Sequence, residues 1–337
     1  MNPPDADSRS LHDILSRFSF LANHWHSVPI RHAGGFSGAN IWRIAAGQGT
    51  YSLKRWPPTH PDRQRLEFIH GVLQHVARQG LTVVAVPLAD RTGQSILEHD
   101  GIYYELSQWL PGEADFERRP TSEKLVAAMT VLAKFHALTA NFNPIRSAPS
   151  SGISERRKQM AQYCRGDFQP IPLARHRLDW PSLTQAAQEF LSLVPHVAKR
   201  LMHQLDQAST WSVPQQPCIR DIWHDHVLFT GDHVTGVIDF GAMRMENVAG
   251  DVARLVGSLV ADHVGQRSQA LAAYENLRPL SVVERELFTI FDQSAIVLGG
   301  LNWLRWIFVE DRAFDDRARA EQRFAFLLHR LRYLSGR

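Results

Sequence analysis

The chain has only two cysteines, Cys164 and Cys218, and they lie far apart. Two unclustered thiols make neither a disulfide framework nor a zinc site, so a reducing cytoplasm is expected. Long apolar runs are also missing. The most apolar stretch, Ala295 to Leu301, is about a third of the length a membrane span needs, and Asn302 and Arg305 soon follow. No membrane partner is expected. The opening residues, Met1-Asn2-Pro3-Pro4-Asp5, lack the apolar core of a signal peptide. Neither sign of charge dominates. The net charge is +3, the charged residues are 21% of the chain, and no polybasic arm gathers them, which argues against a nucleic-acid partner. The 17 histidines dominate any pH dependence. No internal repeat and no low-complexity tract occurs, which excludes a repeat array.

What is present suits one large two-lobed protein: 337 residues, 44% of them hydrophobic. Residues 1–8 read as disordered, and Leu11 to Phe20 as a short helix. Strands are expected over Val28–Ala33, Asn40–Ala45 and Thr50–Trp56, with a glycine turn at 34–38 and a hairpin turn at Gly47-Gln48-Gly49. Asp62 to Gln79 is helical, with Leu66, Ile69, Leu73 and Val76 at helical spacing. Val83–Leu88, Ser95–His99 and Ile102–Leu106 read as strands, and 108–112 as a connector. Ser122–Thr139 is the clearest helix. Residues 141–181 form a long excursion with some helix near Ser154–Tyr163. Thr184–Gln207 is helical with a break at Pro195, and the chain is helical beyond Asn247, with a capping box at Ser281 and Glu284. Strands first and helices after is the order of α+β packing.

Two acidic motifs stand out. Ile219-Arg220-Asp221 begins a segment that reads like the kinase catalytic loop H-R-D-L-x-x-x-x-N, with Asp221 as base. Val237-Ile238-Asp239-Phe240-Gly241 contains D-F-G, whose Asp holds a metal. Phosphoryl transfer needs both: one carboxylate near the attacking hydroxyl, another on the metal that bridges the phosphates. Read blandly, Asp221 stabilises a turn and Asp239 caps one. Lys54 ends the third strand, after the glycine turn, where a lysine can reach phosphates. Alone it also reads as a surface lysine. Glu67 on the following helix is its candidate ion-pair partner, or one of several solvated charges. Within the turn, Gly35, Ser37 and Gly38 offer backbone N–H groups to phosphate oxygens, although G-x-G-x-x-G is absent and a plain hairpin turn has the same composition.

His226 stands where the kinase pattern has a metal-binding Asn. It has three readings: it ligates a metal, it hydrogen-bonds Asp221 or phosphate, or it marks lost catalysis. Imidazole suits manganese or zinc better than magnesium. His224 with His226 also suggests a separate metal cluster, although no third ligand accompanies them. Asp251 reads as starting or bracing a helix behind the site. Trp303 and Trp306 share a helix face and read as core before acceptor platform, and His136 reads as a core histidine.

Together these residues resemble the aminoglycoside phosphotransferase / choline kinase-like family. The carriers run from the glycine turn through Leu53-Lys54, the hinge-like 104–112, Leu132-Ala133-Lys134-Phe135-His136-Ala137, and Asp221–Phe229, to Gly236–Gly241. The resemblance implies an α+β, two-lobed protein-kinase-like fold, with a small antiparallel-sheet N-lobe (1–107), a hinge (108–112) and a larger helical C-lobe (113–337) carrying the catalytic loop and acceptor site. It implies ATP held between the lobes with Mg2+, or Mn2+ given His226, and transfer of the γ-phosphoryl group to a small-molecule hydroxyl acceptor. Lys54 would hold phosphates, Asp221 would be the base and Asp239 would hold the metal. Three departures are Ile219 for His, Trp223 for a second His, and His226 for Asn. They motivate an alternative, a nucleotide-binding pseudokinase without turnover. A third reading is a metal-dependent hydrolase built on His224 and His226. The lack of a dense acidic patch in the C-terminal half argues against a polycationic acceptor.

Overall fold

Apolar spacing and caps set the elements. The computed structural model describes residues 6–21, 24–30, 38–144, 146–165, 180–310, 312, 314 and 316–336. The order begins α1 (Ala6–Leu15), β1 (Trp25–Pro29), β2 (Asn40–Ala46), β3 (Gly49–Arg55), α2 (Arg63–Arg78), β4 (Leu97–His99), β5 (Ile102–Gln108) and α3 (Ser122–Thr139). It continues with β6 (Arg146–Pro149), α4 (Ser151–Cys164), α5 (Pro181–Ala208), β7 (Ser212–Cys218), β8 (Val227–Thr230), β9 (His233–Val237) and β10 (Arg244–Glu246). The last four helices are α6 (Ala249–Val260), α7 (Val264–Glu275), α8 (Val282–Phe308) and α9 (Arg317–Ser335).

The chain divides into two compact units, residues 1–142 with 224–244, and residues 143–223 with 245–337. The first carries an antiparallel sheet in the order β1-β2-β3-β5-β4. Leu11, Ile14, Leu15 and Phe18 around α1 pack with Ile44, Tyr51, Leu53, Tyr104 and Leu106 of the strands. Period-two alternation therefore sends Lys54 and Trp56 to the face opposite Tyr51 and Leu53. Asp62 caps α2, its side chain accepting from the Arg65 N–H. The β8–β9 hairpin turns at Gly231-Asp232, with Gly231 at φ +60°. It joins the sheet unit because Val237 N–H donates to Val83 O, Phe229 and Glu113 exchange backbone bonds, and α3 packs on β9. The compact units are thus drawn differently from lobes divided at 108–112.

The second unit is built around α8, which packs on α4, α5, α6 and α9. Its capping box forms, with the Ser281 side chain accepting from Glu284 N–H and the Glu284 carboxylate accepting from Ser281 N–H. By length and composition α8 is the one described helix able to cross a membrane, and 72% of its apolar window is buried inside the protein. A three-stranded sheet, β10-β7-β6, flanks the helices.

Four expectations change. Helix α1 starts at Ala6, inside the stretch read as disordered. The strand expected over 83–88 reduces to isolated bridges at Val84 and Pro87. Helix α5 runs through Pro195 without the expected break. A proline inside a helix costs about 3 kcal/mol. Seven buried apolar residues, Phe190, Leu193, Val194, Val197, Ala198, Leu201 and Leu205, outweigh that cost. Strand β7 escaped the sequence reading because Pro214 and Pro217 lie within it.

Adjacent glycines of α8 should respond oppositely to Ala. A Cβ at Gly299 would meet Leu327 at 3.6 Å, an ordinary contact, so Gly299→Ala gains the helix propensity of about 1 kcal/mol. A Cβ at Gly300 would overlap the ring of Phe190, which is fully buried against Phe324 and cannot swing out. Gly300→Ala should lose about 1–3 kcal/mol. Urea unfolding midpoints that rise for both variants would contradict this packing.

Candidate active site

The sheet unit presents Lys54 and Asp239 together. Lys54 Nζ lies 3.1 Å from Asp239 Oδ1, although 185 residues separate them. Its ammonium also sits over the Trp56 ring, 3.8 Å from the centroid. Two backbone bonds fix the Asp239 segment: Val237 N–H to Val83 O, and Ile238 N–H to His226 O. Phe240 is buried and stacks on Phe135 of α3. Gly241 leaves room for Trp56, because a Cβ there would come within 2.9 Å of the indole. Asp239 itself has φ +62°. Burial alone would raise its carboxyl. The Lys54 ammonium, His226 and the Gly241 N–H outweigh burial and hold it below the usual carboxylate range.

His226 Nε2 lies 3.8 Å from Asp239 Oδ2, so the imidazole stands beside the carboxylate as the sequence order suggests. His224 points elsewhere, with Nε2 3.4 Å from Asp225 and 3.8 Å from Glu117. Among the described residues the two histidines form no group able to hold an ion. The hydrolase reading therefore finds no support among the described residues.

Glu67 does not meet Lys54. It lies on the exposed face of α2, where its carboxylate accepts from Arg63 Nε at 3.0 Å. Glu105 takes the position beside Lys54 instead, directly opposite it on β5. Sequence reasoning missed Glu105, and also Trp56 and His70, which hold it. The available signal was the β3–β5 pairing, which aligns Lys54 with Glu105, but register is not legible before the strands are paired. Gly35 and Ser37 lie outside the described residues. Gly38 lies inside them, at φ +74°.

The helical unit carries Asp221. Its carboxylate pairs with Arg254 of α6. The Asp251 carboxylate, also on α6 and buried, accepts from both Ile219 N–H and Arg220 N–H at 2.6 Å. The sequence reading has Asp251 starting or bracing a helix; it lies in the first turn of α6, and its carboxylate clamps the backbone before Asp221, a role not expected of it. Arg220 has φ +67° and donates to Glu155 at 2.7 Å. Burial, with Arg254 and Arg220 nearby, lowers Arg156 to about 10. The Cys218 thiol is pushed up by burial and by Asp251 and Glu246, so it is no thiolate nucleophile. His136 is buried, as is Trp303, whose ring stacks on Phe314.

Removing the clamp should be costly. Asp251→Ala leaves two backbone N–H groups without their acceptor, at about 1–3 kcal/mol for each one that stays buried. Asp251→Asn retains one carbonyl oxygen and should lose roughly half as much. Unfolding in urea measures both, and an unchanged midpoint for Asp251→Ala would refute the clamp.

Comparison with known proteins fits this geometry. Residues 30–283 match the model of the phosphotransferase enzyme family. The homoserine kinase of Brucella anthropi is 28% identical over 262 residues, covering 75% of this chain and 72% of its own length. An aminoglycoside phosphotransferase from Alicyclobacillus acidocaldarius has a similar fold, with TM-score 0.63 at 16% identity over 100% of this chain and 96% of its own. So has a spectinomycin phosphotransferase solved with ADP and spectinomycin, with TM-score 0.67 at 12% identity over 97% and 98% of the two chains. The fold is therefore the expected kinase-like one, and nothing in these likenesses supports a pseudokinase. The match over most of the chain, together with the paired Lys54 and Asp239 and the braced Asp221 loop, means that this protein belongs to the phosphotransferase enzyme family.

Proposed function

We propose that this protein moves the γ-phosphoryl group of ATP to a hydroxyl of a small molecule. The observation that carries the reading is the Lys54–Asp239 pair. A lysine fixed on a strand and a carboxylate kept ionised are the two groups that a nucleotide phosphate and a divalent cation need. The donors suit that cation: Asp239 is a hard oxygen ligand, partly exposed at 36% of its side chain, and His226 lies alongside. A bound Mg2+ would neutralise phosphate charge, and the His226 nitrogen also suits Mn2+. The similar fold solved with ADP supports a nucleotide at such a site.

In this reading Lys54 holds phosphate oxygens, with Gly35, Ser37 and Gly38 contributing backbone N–H groups. Asp221 accepts the acceptor's hydroxyl proton late in transfer and orients its oxygen throughout. Arg254 occupies that carboxylate in the structure, so the acceptor hydroxyl must share it or displace the guanidinium. Residues 1–107 are assigned to the nucleotide, 108–112 to the hinge, and 113–337 to the catalytic loop and acceptor. We also place the protein in the cytoplasm, without nucleic-acid or membrane partners.

Calorimetry with ATP, with and without Mg2+ or Mn2+, tests the metal site. Wild type should bind only with metal, and Asp239→Ala should lose that dependence. Initial rates on a panel of hydroxyl compounds, including homoserine, then test the base. Asp221→Asn should lower turnover by about 100-fold to 10,000-fold. Undiminished turnover would remove Asp221 from the role, and no phosphorylation of any acceptor by wild type would sink the reading.

A further inference from the structure

Among the described contacts Lys54 has two electrostatic anchors, Asp239 and the Trp56 ring, and a third acid faces it from the neighbouring strand. Lys54 and Glu105 are directly opposite on antiparallel strands. Side chains so placed leave the sheet on one face, with Cβ atoms about 5 Å apart. Glu105 is held from two sides. Trp56 Nε1–H donates to its Oε2 at 3.2 Å, and His70 Nε2 lies 2.9 Å from the same oxygen. His70 belongs to α2, is 3% exposed, and has its other ring nitrogen 2.9 Å from the Ser95 hydroxyl. Trp56 therefore meets three parts of the site: its face lies under Lys54, its N–H reaches Glu105, and its edge fills the space that Gly241 leaves. Glu67 meets none of these groups.

A lysine is a point charge on a flexible four-carbon stem and holds one geometry only where its surroundings impose it. A carboxylate as largely covered as Glu105 needs hydrogen bonds and a counter-charge. Burial alone would raise the Glu105 carboxyl, but the His70 bond and charge, with Lys54 next, hold it below its ordinary value. We propose that Glu105, held by His70 and Trp56, is the positioning residue for Lys54, in the place the sequence pattern offers Glu67. Helix α2 is then coupled to the phosphate lysine through His70, and the Asp239-Phe240-Gly241 turn through Trp56. The inference rests on Lys54 being the phosphate lysine.

A double-mutant cycle tests it on the full chain, with ATP and magnesium as probe in calorimetry. Glu105→Gln should weaken ATP binding by about tenfold in the wild-type background, and by less than about twofold when Lys54→Met is already present. Glu67→Ala should leave affinity within about twofold. An equal loss in both Lys54 backgrounds would make Glu105 merely structural and overturn the proposal. A Glu67→Ala loss as large as that of Glu105→Gln would also overturn it. Should Glu105→Gln fail to fold, His70→Asn keeps a polar group near Ser95 but no longer reaches Glu105, and the same non-additive pattern is expected. The same proteins unfolded in urea without nucleotide supply a second readout. Non-additive midpoints are expected for Lys54 and Glu105, and additive ones would refute their coupling. Absent ATP binding with that coupling intact would sink the phosphotransferase reading and leave the pairing in place.

Discussion

In the proposed reading the Lys54–Asp239 ion pair is the contact on which the sheet unit's chemistry depends. It joins strand β3 to the turn after β9, and every device around it serves to keep the two charges together: the Trp56 face, the Phe240 ring in its buried pocket, and two backbone bonds in the Asp239 segment. Stability is a poor explanation for such a pair. Exposed ion pairs contribute about 0–1 kcal/mol, and burying one brings a desolvation cost that its attraction only partly offsets. Lys54 is largely covered and Asp239 only partly so, which sits between those limits. The pair makes better sense as a holding arrangement. In the proposed reading each charge stands in for the other's ligand: the ammonium occupies Asp239 as a cation would, and the carboxylate occupies Lys54 as a phosphate would.

His226 fits the same logic. At 3.8 Å it is beyond hydrogen-bond reach of Asp239, yet its charge helps to lower that carboxyl. Lost catalysis is one reading of the departure from Asn. The backbone bond from Ile238 N–H to His226 O fixes the main chain there, and the ring beside Asp239 supports the proposed reading in which His226 ligates the metal or hydrogen-bonds phosphate or Asp221.

The parts of this architecture legible in the sequence share a feature: they depend on neighbours close in the chain. Helix α3 matches its expected limits of Ser122–Thr139 because cap and stripe are both local. The Ser281 capping box was readable for the same reason. Asp221 and Asp239 were legible because motif order carries them. The features that were not legible come from pairing and packing. Register set Glu105 opposite Lys54, and helix rotation turned Glu67 to solvent and His70 inward, although Glu67 and His70 are a single turn apart. Strand β7 was hidden by its own prolines, and Pro195 failed to break α5 because burial along the helix outweighed it.

Backbone strain ties the two units' loops to one design rule. Arg220 and Asp239, one beside the proposed base and the other the proposed metal ligand, both adopt left-handed conformations at φ +67° and +62°. Such a conformation costs a non-glycine residue about 1–3 kcal/mol and persists only where its surroundings over-determine it. Glycine would remove the cost at either position but also the side chain. Asp tolerates the region better than most, which eases position 239. Arg has no such advantage, and there the surroundings must do more. Asp251 supplies two short bonds, one to Arg220 N–H itself and one to the residue before it, while Glu155 holds the guanidinium. The strained turn is therefore anchored at its backbone and its side chain, and Asp221 inherits its direction from a residue that the helix α6 carboxylate keeps in place.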